Sequence, residues 1–137
     1  MKLRVLYTIH AVIALVFGLG SVLVPQQFVL CFGVTLDSAG ALMMQFAGAW
    51  LIGIALLAWF VRDVHEAEIR YSILVAFVSM SVVGLLVSLL GQAGGVLNAF
   101  GWLPALINLL LILGYGYFLL TQPEDAAAPL TQQTQQP

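Results

Sequence analysis

Charge is nearly absent from this chain: four Lys or Arg and six Asp or Glu among 137 residues, 7% in all, with a formal net charge of −2. Four basic residues make no positive face on which a polyanion could lie, so nucleic acid is excluded as a partner. Cysteine is limited to Cys31, which rules out an intrachain disulfide and any multi-cysteine metal site and reads as a buried thiol. Histidine occurs only as His10 and His65. Neither stands in a metal-binding spacing such as H-E-x-x-H. With no catalytic motif to name, the chain is not expected to be an enzyme.

What remains is apolar. Hydrophobic residues make up 62% of the chain and the mean hydropathy is +1.07, far above a soluble domain of this length. Residues 38–61 hold no Asp, Glu, Lys or Arg, and a helix over them, about 36 Å long, crosses a hydrocarbon core of about 30 Å. Arg62, Asp63, Glu66, Glu68 and Arg70 then follow within nine residues. Each would cost roughly 2.5–3.5 kcal/mol at bilayer depth, so 62–70 is expected to be an aqueous turn whose acids offset its bases.

Two longer charge-free runs must be divided. Residues 5–36 exceed one comfortable span, and Pro25, with no N–H and a bias against helix in the residue before it, ends the first span near Val24. Lys2 and Arg4 ahead of an apolar run also resemble a signal peptide, but the run is longer than an h-region of about 7–15 residues, which favours a span over 3–24. Residues 25–39 are too short to cross and, with apolar Phe28, Val29, Leu30, Phe32 and Val34 between polar flanks, are expected to lie at the interface. Residues 71–123 must fold back on themselves. Gly91, Gly94 and Gly95 mark the break, giving spans near 70–90 and 99–121. Residues 122–137, rich in Gln and Pro without apolar periodicity, are expected to be a disordered cytoplasmic tail. The fold class is therefore all-α: an integral membrane bundle of four transmembrane helices over residues 1–121, with a short interfacial segment after the first.

Four spans put the N-terminus, the 62–70 turn and the C-terminus on one side, together with all four basic residues, Lys2, Arg4, Arg62 and Arg70. By the positive-inside rule that side is cytoplasmic and the membrane is the inner membrane. Tyr7, Trp59, Tyr71, Tyr115 and Tyr117 are expected in the aromatic belt on that side, and Trp102 on the other.

Helices associate in lipid through small and polar residues, because no hydrophobic effect drives them together. On the second span Ala41, Gln45, Gly48, Ala49, Ile52, Ala55 and Trp59 share one side, expected to face protein. Met43, Phe46, Trp50, Ile54, Leu57 and Val61 share the other, expected to face lipid. On the third span Ala76, Gly84 and Ser88 form a small stripe, and Ser72, Ser79 and Ser81 are candidates for bonds across helices. Asn108, near the midplane of the fourth span, needs a partner where water is absent. Ser79 or Ser81, at similar depth, is the expected one.

His10 is the one histidine inside a span, and Tyr7 lies one turn before it. Counting about 1.5 Å per residue, His10 and Tyr115 reach the same depth and are expected to touch. The structural reading is a neutral histidine hydrogen-bonded to Tyr115 or a carbonyl. The functional reading is a quinone headgroup held by His10, Tyr7 and Tyr115. Haem ligation by both histidines would require His65 to leave the aqueous turn, which ranks it below quinone.

The first span ending at Pro25, Gly33 and Asp37 in the first connection, and the run from Gln45 through Gly48, Trp50 and Trp59 to Arg62 resemble the small bacterial four-helix membrane proteins of the DoxX-like kind. Where those proteins would carry an arginine just before the glycine-alanine run, this chain has Gln45. The resemblance implies a link to quinone or thiol redox chemistry. The leading expectation is a non-catalytic accessory or interaction subunit, working through its Gly, Ala and Ser helix faces, with the bilayer, a second copy or a larger membrane complex as partner. A redox protein binding quinone near His10 is the alternative.

Overall fold

The computed structural model describes residues 2–121; the expected tail, 122–137, lies outside the described residues. Five α-helices follow one another: α1 Leu3–Leu23, α2 Pro25–Leu30, α3 Ser38–Val61, α4 Ala67–Ala93 and α5 Trp102–Thr121, the last preceded by a 3-10 turn, Ala99–Gly101. Four are long and apolar enough to cross a membrane, and the protein is a multi-pass four-helix bundle. Pro25 occupies the first turn of α2, where its missing N–H costs nothing. Asp37 starts α3 by accepting a bond from Gly40 N at 2.7 Å, satisfying one of the free donors of the first turn.

The spans pack as two antiparallel pairs, α1 with α3 and α4 with α5, joined by a slighter approach of α1 to α5. In the first pair Gly48 rests on α1 so closely that an added Cβ would stand 2.7 Å from Ser21 Cβ and 2.8 Å from the Gly18 carbonyl oxygen. Gln45 donates to the Val22 carbonyl at 3.1 Å, and Ala55 is buried beside them. In the second pair Gly84 lies against the Asn108 amide. Gly114 admits Leu6 at the α1–α5 approach. Dispersion over close backbones replaces the hydrophobic drive that lipid cannot supply.

The face expected of α3 is rotated. Ala58 and Val61 are buried, Ile54 is half-buried, and Ala49 and Trp59 are exposed. The reason is a second neighbour: Gly48 and Ala55 meet α1, while Ile54, Ala58 and Val61 turn into a core shared with Leu74, Phe77, Leu111 and Phe118. Trp50, 76% exposed, does lie on the outer side. On α4 Ala76 and Ser79 are exposed, and Ser72 and Ser88 bond carbonyls of their own helix, Glu68 and Gly84.

At the end of the bundle that carries the chain's beginning, Arg4 pairs with Asp63 at 3.1 Å, and the Arg62 guanidinium sits 3.4 Å over the Trp59 ring. The turn is shorter than expected: α4 starts at Ala67, so Glu68 and Arg70 lie in its first turn. At the opposite end α2 folds back on α1, its Phe28 ring seated on Gly20 and set edge-to-face with Phe17 and Phe32. Asn98, in the α4–α5 loop, fastens this segment: its N–H donates to Phe32 O at 2.9 Å and its side chain to Cys31 O at 3.0 Å. Gly33, at φ +82°, lies against the Asn98 side chain, in a backbone region few other residues tolerate. Cys31 is exposed rather than buried, because α2 has only one covered face.

Candidate functional site

Between the two pairs, at mid-depth, the helices separate and leave a cavity of about 300 Å³. All four spans line it. His10, Ala14 and Phe17 come from α1, Ile54 from α3, Met80, Ser81 and Gly84 from α4, and Pro104, Ile107 and Asn108 from α5. The walls are apolar except at three places.

The first is His10, 4% exposed. Its Nδ1 and the Tyr115 hydroxyl are 2.9 Å apart, as their common depth led us to expect. The ring stands edge-on to Phe77 at a centroid distance of 4.9 Å. Tyr7 and Tyr115, both fully buried, pack against each other and against Phe77 behind it. Neither belongs to the aromatic belt, because at this level α1 and α5 face the shared core. Of the three residues proposed for a headgroup, His10 alone lines the cavity. Tyr115 holds it from the other side, and the Tyr7 hydroxyl is buried without a partner among the described residues.

The second place is Ser81, 1% exposed, whose hydroxyl has no partner among the described residues. The third is Asn108, whose Nδ2 donates to the Pro104 carbonyl of its own helix at 2.9 Å. The expected bond to Ser79 or Ser81 is not made. Side chains on a helix lean toward its N-terminus, so the amide folds back on the carbonyl four residues earlier, and the residue facing it on α4 is Gly84. Ser81 sits about one turn lower. The sequence marked Asn108 and His10 as intramembrane polar groups. Ser81 was one of several serines, and nothing in its spacing singled it out.

A family model described as a domain of unknown function, DUF8292, matches residues 8–135. The chain belongs to that family. No curated protein and no solved structure matches it. In this DUF8292 member the matched range includes every residue that lines the cavity.

The cavity has a size and lining that would suit a small molecule. It has the size of the smaller ligand pockets, about 300–1,000 Å³, and pairs apolar walls with a few polar groups. Nothing in it is set up as a nucleophile with a base, and its polar groups are neutral hydrogen-bonding ones.

Proposed function

We propose that this protein is a non-catalytic membrane protein that holds a small lipid-phase molecule between its two helix pairs. The observation that carries the reading is the half-open cavity between the pairs, lined by all four spans, with His10 and Asn108 set in otherwise apolar walls. Left unfilled, its lining forfeits packing contacts. A bound apolar molecule with a polar head restores them. The accessory-subunit reading draws less support, since the small residues meant to meet a partner are engaged within the chain: Gly48 by α1 and Gly84 by Asn108.

We also place the end bearing Lys2, Arg4, Arg62 and Arg70 in the cytoplasm and the bundle in the inner membrane. The Arg4–Asp63 ion pair supports grouping these residues on one face, and the positive-inside rule then gives the direction.

Organic extraction of the purified protein, followed by mass spectrometry, tests the binding reading. Ser81→Leu fills the cavity and serves as the comparison. A lipid-soluble molecule near stoichiometric amount in the wild type and depleted in Ser81→Leu is the expected result. Equal lipid content in both would end the reading.

A further inference from the structure

The half-open cavity is closed at both ends and open along its flank. Toward the end bearing Arg4 its floor is His10 and Leu111, and behind them Tyr7, Phe77 and Tyr115 are almost wholly buried. Toward the opposite, far end it stops at Phe17 and Pro104. What remains is the side between α3 and α4, which barely approach each other. Met80, on that side, both lines the cavity and is 36% exposed. At mid-depth in a bilayer this flank meets acyl chains, so the opening faces lipid.

The far end is roofed by the α2 segment. Phe28 stands edge-on to Phe17 at a centroid distance of 5.5 Å, and Phe32 lies 6.4 Å from the same ring. The outer side of the segment carries the exposed Gln26 and Gln27. Two bends frame it: Val24, at φ −140° and ψ 58°, separates it from α1, and Gly33, at φ +82°, ends it. Among the described residues, the hydrogen bonds that cross from this segment to the second pair both come from Asn98, N–H to Phe32 O and Nδ2 to Cys31 O. Asn98 Oδ1 in turn accepts from Phe100 N at 2.9 Å, in the turn that leads into α5 and Pro104. One residue therefore ties together the two boundaries of the cavity's far end. Asn98 is exposed, so water takes over each bond as it breaks and opening is cheap.

We propose that α2 is a hinged roof, held shut by Asn98, whose release opens to the far aqueous side a pocket otherwise open to lipid. The protein then passes its occupant between the bilayer and that face instead of only storing it. This deepens the ligand-binding reading above and rests on it. The floor stays closed throughout, because the Tyr7, Phe77 and Tyr115 rings pack against one another there. Access to water is one-sided.

The test uses the full chain in lipid nanodiscs, with Cys31→Ala and a single reporter thiol. Ala14→Cys places it on the cavity wall, where Ala14 is 4% exposed. Ala58→Cys places it in the core below the floor, at a residue 0% exposed. The probe is a cationic, membrane-impermeant methanethiosulfonate reagent, which reaches a thiol through water and not through lipid. With Asn98 intact, both thiols should react slowly. Asn98→Ala removes one of the two bonds to α2 and, at about fivefold per bond, should speed labelling at 14 about fivefold. Asn98→Pro removes the N–H as well, at a φ of −78° that proline adopts, and should speed it roughly 25-fold. Labelling at 58 should stay slow in both. Fast labelling at 14 with Asn98 intact, no acceleration in either variant, or equal acceleration at 14 and 58 overturns the roof. A graded, cavity-specific response in a protein that yields no stoichiometric lipid-soluble molecule on extraction leaves the roof standing and overturns the binding reading.

Discussion

Gly18 and Gly48 abut each other where α1 crosses α3: a Cβ on Gly48 would stand 2.8 Å from the Gly18 carbonyl oxygen, and one on Gly18 3.0 Å from the Gly48 carbonyl oxygen. The obstacle on both sides is backbone, which cannot rotate away. Gly48→Leu should therefore cost about 3 kcal/mol or more, beyond the usual range of about 1–3 for overpacking. Gly53, one helix face away, has nothing within 4 Å of its Cβ position, and Gly53→Leu and Trp50→Leu should each stay within about 0.5 kcal/mol. Unfolding in mixed micelles measures all three. Equal stability of Gly48→Leu and Gly53→Leu would refute the assigned crossing.

Gly84 and Asn108 are a coupled pair, since a Cβ on Gly84 would run into the Asn108 amide. Gly84→Ala alone should destabilise, and Asn108→Ala should relieve that cost by opening the space. A double-mutant cycle should return an interaction energy of about 0.5–3 kcal/mol. Strict additivity would mean the two side chains do not share that space.

Two buried serines should respond in opposite directions. Ser21 donates to the Phe17 carbonyl at 2.7 Å, so Ser21→Ala loses a made bond and should cost about 1 kcal/mol. Ser81 has no partner, so in extracted, ligand-free protein Ser81→Ala should be neutral or raise the melting temperature. A clear loss of stability on removing the Ser81 hydroxyl would show that it is bonded after all.

Membrane orientation has a built-in reporter. Cys31 is exposed on the connection between α1 and α3, on the face opposite the exposed turn residue His65. An impermeant maleimide added to spheroplasts should label Cys31, and should fail to label a Cys31→Ala, His65→Cys double variant until the membrane is opened. The reverse pattern would invert the topology.

Much of the architecture was legible because electrostatics enforces it. Charge-free runs set the four spans to within about three residues, and Pro25 and Gly91–Gly95 marked the breaks. The α4 boundary moved to Ala67 because Glu68 and Arg70 lie in the first turn of the helix, where long side chains still reach water. The helix faces were read less well. Periodicity ranks residues around one axis, but Val61 and Ala58 are buried because α3 touches α1 and the central core on different sides, which no single-helix pattern contains. Tyr7 and Tyr115 failed as belt residues for the same reason. The level of His10 against Tyr115 was predictable from counting, whereas the cavity was not. It arises where two well-packed pairs diverge, a property of the relation between hairpins.

Asn98 closes the far end of the bundle by holding the Cys31 and Phe32 carbonyls, and this carries an implication for how the molecule is made. The acceptors belong to the first hairpin and the donor to the loop of the second, so the contact needs both hairpins. Until residue 98 has crossed to the far side, the α2 segment keeps two carbonyls for water alone. The latch thus engages only after the second hairpin is in place. A chain that ends before residue 98 lacks this latch and leaves the rim of the first hairpin open.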